Sequence, residues 1–333
     1  MLKLETNIIQ FKQKLHNQCY DFEQMSMEAF ELNYKHNPVY QQFCNHIKKK
    51  PTTTKSLLEI PFMPIEFFKS HKISIHTKKE TDIFTSSGTT SSNTSKHYVY
   101  DVNFYLQNCK TIFENTYNSL EESVFLFLLP SYLERNGSSL IAMAQFFIEE
   151  SNDAHSGFYL NDYTALANKI NGLEHSKKNI FLIGVSFGIL DFLETNPSIN
   201  HKNFTIMETG GMKGRRKELT RNELHHQFDS FFGHSLYHSE YGMTELFSQA
   251  YSKGNGIFEQ NNVLKIFIRD LKDPLDIYTE GTGALNVIDL ANIESVCFIG
   301  TSDQGKVSKN QFEILGRIDN SDIRGCNLML GAM

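Results

Sequence analysis

The chain has 333 residues, 40% of them hydrophobic and 12% aromatic, enough apolar surface for one large core or two smaller ones. A formal net charge of −6 provides no basic stripe of the kind that displaces counterions from a polynucleotide, which speaks against a nucleic-acid partner. Cys19, Cys44, Cys109, Cys297 and Cys326 form no CxxC pair, so neither a zinc site nor a disulfide framework is expected and the thiols read as reduced.

Residues 4–48 place apolar side chains at helical spacing (Ile8, Phe11, Leu15; Phe22, Met25, Phe30; Tyr40, Phe43, Ile47), interrupted at Asn37 and Pro38. The N-terminus has no uninterrupted apolar leader segment, and nothing reaches the roughly 18 apolar residues of a membrane span. The expectation is a cytoplasmic protein without a membrane span, touching lipid at most as a substrate. Past Pro51, the segment PFMPIEFFKSHKI contains Pro61 and Pro64. Each proline removes a backbone donor, so this segment should be an extended arm rather than a long helix or central strand.

From residue 120, apolar runs alternate with helical patterns: SVFLFLLP, then SSLIAMAQFFIEE, NIFLIGV, SFGILDFLE and NFTIME. A further helix starts near Thr220, where Thr220 and Glu223 suit a capping box. Continuous apolar strands separated by helices predict a layered α/β fold with mostly parallel sheets. After residue 260 the strands VLKIFIRD, GALNVID, SVCFIG and QFEILGR follow one another without helices, which predicts a small antiparallel β subdomain.

Ligands of such sheets gather where strands run into loops and helix starts. Four stretches are expected there. TSSGTTSSNTSKHYVYD surrounds Gly88 with the hydroxyls of Ser86, Ser87, Thr89 and Thr90 and adds Lys96; it is not a Walker loop, because GK[ST] is missing. On composition alone it is as readable as a solvated linker. METGGMKGRRK holds Gly210 and Gly211, which allow close approach of a flat ligand. HSEYGMTE presents Tyr241 for stacking, Thr244 for a phosphate oxygen and Glu245 as a hard oxygen ligand for Mg2+. GTSDQG and the GRID segment supply Asp303 and Arg317, suited to ribose hydroxyls. Taken singly, each is equally an ordinary turn or helix start.

In this order the four stretches resemble the adenylate-forming superfamily of acyl and aryl ligases. Within it, PFMPIEFFKSHKI, TSSGTTSSNTSKHYVYD, SYLERNGSSL, METGGMKGRRKELT, HSEYGMTELFSQAYS and GRIDNSDIRGCNLM are most similar to the LuxE-type acyl-protein synthetases, which join a long-chain fatty acid to a protein. The resemblance implies an adenylate-forming N-terminal domain whose C-terminal lid is absent or vestigial, with a helical region over 1–60, a core over 61–316 and a hinge-like tail over 317–333. It implies ATP and Mg2+ as cofactors, a fatty acid as substrate, and an acyl-reductase or acyl-carrier protein as partner. Ser86, Ser87, Gly88, Thr89, Thr90 and Lys96 would hold phosphate. Gly210, Gly211 and Tyr241 would frame adenine, Thr244 and Glu245 would bind phosphate and metal, and Asp303 and Arg317 would bind ribose. Cys326 would carry the acyl group, with Arg324 as a source of positive charge for its thiolate. In the absence of the lid, Lys306 is one candidate for its lysine.

Three alternatives stand beside this reading. GVSFG matches the G-x-S-x-G nucleophile elbow, with Ser186 as nucleophile of an acyltransferase or hydrolase. The same scaffold could pass the acyl group to coenzyme A or a carrier thiol. It could also bind nucleotide without catalysis.

Overall fold

The computed structural model describes residues 2–318 apart from 87–93, 131–136, 202, 211–218, 220 and 233–236. Three helices open the chain: α1 (Leu2–Asn17), α2 (Phe22–His36) and α3 (Pro38–His46). Asn37 divides α2 from α3, as its spacing predicts. Its side-chain oxygen caps α3 by accepting from the amides of Val39 and Tyr40, while Pro38 occupies a position that needs no N–H donor. An unforeseen second break lies at Gln18, whose φ of 51° is left-handed, before Asp21 caps α2. The helices dock on the body through Asn33, which donates to Ile293 O at 3.0 Å and accepts from Cys297 N at 2.8 Å. Lys12 joins them there, bonded to Asp101 and Glu294.

The proline-rich arm contributes a two-residue strand β1 (Met63–Pro64) and the single turn α4 (Phe67–Ser70). The hairpin β2 (Asp82–Thr85) and β3 (Lys96–Val99) brackets the hydroxyl-rich loop, antiparallel with Thr85 opposite Lys96. The sheet-and-helix alternation follows: α5 (Val102–Thr116), β4 (Ser123–Leu128), α6 (Ser139–Ser151), β5 (Gly157–Phe158), α7 (Tyr163–Gly172), β6 (Asn179–Val185), α8 (Ser186–Glu194), β7 (Thr205–Thr209), α9 (Arg221–Phe232), β8 (Tyr237–Tyr241) and β9 (Ala250–Ser252). These strands form a six-stranded sheet in the order β5-β4-β6-β7-β8-β9, parallel except for the β8–β9 pair. SVFLFL is buried at every position, as expected of a central strand covered on both faces. Phe113, Phe125, Phe147 and Phe181 pack ring to ring behind it, with centroids 5.1 to 5.7 Å apart.

The remaining strands are β10 (Ile257–Glu259), β11 (Leu264–Arg269), β12 (Ile277–Tyr278), β13 (Gly281–Asp289), β14 (Phe298–Ser308) and β15 (Gln311–Arg317). With β1 they build a seven-stranded sheet, antiparallel apart from the β1–β14 pair. The antiparallel part is therefore not a small appendage but the larger of the two main sheets. Among the described residues no helix is long and apolar enough to cross a membrane. The expected capping residue Thr220 lies outside the described residues.

Gly137 ties the hairpin to the parallel sheet. Its carbonyl accepts from Thr85 N at 2.7 Å, its φ is +79°, and an added Cβ would stand 2.5 Å from Ile83 O. Gly137→Ala should cost about 2 kcal/mol in chemical denaturation. The same change at Gly157, where a Cβ meets nothing within 4 Å, should stay within about 0.5 kcal/mol.

Candidate functional site

The parallel strands β6, β7 and β8 all end at the same edge, and each delivers one turn to it. β7 ends at Thr209, followed by Gly210 with φ +67°, a conformation that suits a residue without Cβ. Thr209 Oγ1 donates to the carboxylate of Glu240, its register partner on β8. Ser186 begins α8 directly after β6 and donates to Gly210 O at 2.8 Å. Only 2% exposed, this serine holds the Gly210 turn in place rather than facing a ligand. Its hydroxyl also lies 3.3 Å from Glu208 Oε2, but a nucleophile needs an open approach, so the burial of Ser186 argues against an elbow.

β8 runs into Gly242–Glu245. Tyr241 is buried with Phe258 and Phe312 edge-on to its ring, and its hydroxyl donates to Asp303 Oδ2 at 2.9 Å. Asp303 lies on β14 opposite Arg317 of β15, whose Nε is 3.8 Å from Asp303 Oδ1. Burial raises the Asp303 carboxyl above its ordinary range, opposed by the Tyr241 hydroxyl and the Arg317 charge. Tyr241, Asp303 and Arg317, which are far apart in the sequence, thus form one group.

Thr244 and Glu245 are met from the other side by the root of the hydroxyl-rich loop. Ser86 N donates to Ser95 O at 3.1 Å and Ser95 N to Ser86 Oγ at 3.0 Å, which closes the loop at its base. Two residues of this root reach across. His97 Nδ1 is 2.9 Å from Thr244 O, and the Ser95 side chain bonds the Glu245 carboxylate. Burial pushes the His97 pKa down to about 4, so the ring is neutral at pH 7, and Nδ1 must then carry the proton it shares with a carbonyl. Burial raises the Glu245 carboxyl, while Ser95, Lys69 and Arg317 act in the opposite direction.

Beneath Glu245, Asn292 Nδ2 donates to its carbonyl at 2.7 Å, and Asp289 accepts from the amides of Phe247 and Ser248. Sequence reasoning did not single out His97, Ser95, Asp289 or Asn292. The available signal was the period-two pattern of KHYV, which puts His97 on the buried face with Val99.

Lys96 is not brought to this group. It is exposed, and strand alternation directs it to the face of β3 opposite His97. Ser87, Gly88, Thr89, Thr90, Gly211 and Cys326 lie outside the described residues, as do Ser91, Ser92 and Arg324. Among the described cysteines all four are unpaired, three of them buried. A magnesium nucleotide fits the donors in kind. Mg2+ takes one or two carboxylates and fills its shell with phosphate oxygens and water, and Glu245 offers such a carboxylate beside a hydroxyl-rich loop. Among the described residues no three His, Cys, Asp or Glu side chains form a metal-holding group.

The architecture is that of the adenylate-forming domains. It is similar to an open conformation of 2-hydroxyisobutyryl-CoA ligase in complex with 2-HIB-AMP and CoA, with TM-score 0.61 and 11% identity over 89% of this chain and 74% of that one. The same ligase in its thioesterification state matches with TM-score 0.65 and 12% identity over 89% and 67%. The McyG A-PCP structure complexed with phenylalanyl-adenylate matches with TM-score 0.51 and 14% identity over 83% of this chain and 51% of that one. No curated protein matches the chain. Residues 10–100 match the family model for acyl-protein synthetase, LuxE, a span that includes both PFMPIEFFKSHKI and the hydroxyl-rich loop. Over that span the chain is similar to the LuxE acyl-protein synthetases, and its fold is similar to that of the solved ligases.

Proposed function

We propose that the chain activates a fatty acid with ATP to an acyl-adenylate and passes the acyl group to a protein thiol, with Cys326 as the first acceptor. The observation that supports this best is the convergence of the hairpin root on Thr244 and Glu245, next to the Tyr241–Asp303–Arg317 group. A loop that binds phosphate must be fixed relative to the residue that binds the metal, and Ser95 and His97 provide that link.

In this reading Ser86, Ser87, Gly88, Thr89 and Thr90 hold phosphates, with Lys96 at the outer face. Gly210, Gly211 and Tyr241 border the adenine, and Asp303 and Arg317 take the ribose hydroxyls. Glu245 holds Mg2+ and Thr244 a phosphate oxygen; the bound ion would neutralise phosphate charge. A carboxylate is a poor electrophile. Joined to AMP it becomes a mixed anhydride that a thiolate opens, releasing AMP.

The test is to incubate the protein with ATP, Mg2+ and a panel of saturated acids, following pyrophosphate release and intact mass. Acid-dependent pyrophosphate should appear in both wild type and Cys326→Ser, and an acyl mass increment only in wild type. Pyrophosphate release with thioester formation only when coenzyme A is supplied would move the acceptor to coenzyme A. No pyrophosphate with any acid would overturn the proposal in favour of a non-catalytic scaffold.

A further inference from the structure

Glu245 lies in the turn between β8 and β9, outside any strand or helix, so no backbone ladder fixes its direction. A carboxylate that holds a metal ion needs a fixed direction. Each peptide unit is planar, so the course of a side chain from its Cα is set by the two peptide planes that flank it. At Glu245 both planes are held by side chains from other elements. His97 Nδ1 donates to Thr244 O at 2.9 Å, which fixes the plane before Glu245. Asn292 Nδ2 donates to Glu245 O at 2.7 Å, which fixes the plane after it. The same Asn292 amide accepts from Phe247 N at 3.0 Å through its oxygen.

These two bonds explain why position 292 carries an amide. One neighbour is a carbonyl and the other an N–H, so the residue must offer a donor and an acceptor side by side. Aspartate has the shape but, when ionised, no donor for Glu245 O; leucine has neither group. Asn292 is itself held firmly. It is buried at the end of the single 3-10 turn Leu290–Asn292, where Leu290 N donates to Val263 O at 2.9 Å and Ser295 N donates to Asn292 O at 2.8 Å. The opening helices close the next residues from behind. Asn33 Nδ2 donates to Ile293 O and Asn37 Nδ2 to Ser295 O, both at 3.0 Å. A rigid turn thus presents the amide to the backbone of Glu245.

We propose that Asn292 is a positioning residue of this site: together with His97 it aims the Glu245 carboxylate, and through that carboxylate it sets the affinity for the magnesium form of the nucleotide. The inference rests on the adenylation reading above, in which Glu245 holds Mg2+. Asn292 acts through the backbone of Glu245 and touches neither nucleotide nor acid. Without its donor, the peptide plane after Glu245 can rotate about the Cα, and the carboxylate then spends binding energy on being ordered when the ion arrives. Contacts to adenine and ribose come from Gly210, Tyr241, Asp303 and Arg317 and do not pass through this turn.

Titration calorimetry tests this by measuring the affinity for adenosine, for ATP with EDTA and for ATP with Mg2+ in wild type, Asn292→Ala, Glu245→Gln and the double variant, below their unfolding midpoints. Wild type should bind ATP more tightly with Mg2+ than without. Asn292→Ala should lose about 10-fold in affinity for ATP with Mg2+, while adenosine and metal-free ATP bind as in wild type. In the Glu245→Gln background the same change should add no loss, because the carboxylate it aims is already replaced. If the alanine variant does not fold, Asn292→Ser, which leaves room for a water between Glu245 O and Phe247 N, should show the same selective loss at smaller size. Unchanged affinity with Mg2+ overturns the role of Asn292. So does an equal loss for adenosine, or a loss that recurs in full in the Glu245→Gln background, because either is the signature of a merely structural part. Wild-type ATP binding that is indifferent to Mg2+ overturns the reading of Glu245 as the metal ligand, and the role of Asn292 with it.

Discussion

Asp289→Ala should destabilise the protein by about 3–5 kcal/mol, the range for breaking a buried charged network by removing one partner. The side chain is fully buried at the end of β13 and is a hub for four donors. Asp289 Oδ2 accepts from Phe247 N at 2.8 Å and Ser248 N at 2.9 Å, and Oδ1 accepts from Ser248 Oγ at 2.6 Å and Ala291 N at 3.0 Å. Alanine leaves these groups in a dry interior with no acceptor of comparable reach; only Phe247 N keeps a second contact, to Asn292 Oδ1 at 3.0 Å. Asp289→Asn keeps one oxygen and should cost less than half as much. Urea denaturation separates the two. An alanine variant within about 1 kcal/mol of wild type would mean that the turn satisfies its amides elsewhere. The consequence for the site is direct, because Phe247 and Ser248 follow Glu245 and the loss of their anchor frees the segment that carries it.

Much of this was readable before the structure. SVFLFL and NIFLIGV are continuous apolar runs of strand length between helical patterns, and buried parallel strands are the arrangement that uses them. Tyr241, Asp303 and Arg317 could be chosen as candidates because the sequence reads each as lying near a strand end; Tyr241 and Arg317 do close β8 and β15, whereas Asp303 lies within β14. What could not be read is which turns meet. His97 and Thr244 are separated by 147 positions, and nothing in either local sequence encodes the other. Asp289 has the same character: in VLKIFIRD to GALNVID it is one more polar residue closing a strand, and only the pairing of β13 with its neighbours brings it under Phe247. The two prolines of the arm correctly exclude a long helix, but they do not say that β1 joins the antiparallel sheet by pairing in parallel with β14. Lys96 is the opposite case. Its charge next to a hydroxyl-rich loop suggested phosphate, although strand alternation already assigned Lys96 and His97 to opposite faces.

Stability should fall on acidification below pH 6.5, and His97 should account for up to about 3 kcal/mol of that loss. The sign follows from proton counting. Burial holds the His97 pKa at about 4 in the folded chain against 6.5 in the unfolded one, so between these values the unfolded state binds the extra proton and stability rises with pH. The contribution is complete above 6.5 and is lost progressively as pH falls towards 4. His238, also lowered to about 4 by burial with Lys253 and His225 nearby, adds in the same direction. Asp289 works against them. Burial raises its carboxyl to about 6 from 3.8, so across that interval the folded state binds more protons and acidification stabilises it. A wild-type profile alone therefore mixes the three groups, and His97→Asn isolates one of them. Asparagine can place its amide nitrogen near the position of Nδ1 and keep the bond to Thr244 O, but it does not titrate. At pH 7 the variant should remain near wild type, and on going to pH 4.5 it should lose about 2–3 kcal/mol less. Parallel losses in the two proteins would mean that His97 takes up its proton at an ordinary pH. In that case it is not the buried neutral donor that joins the loop root to Thr244.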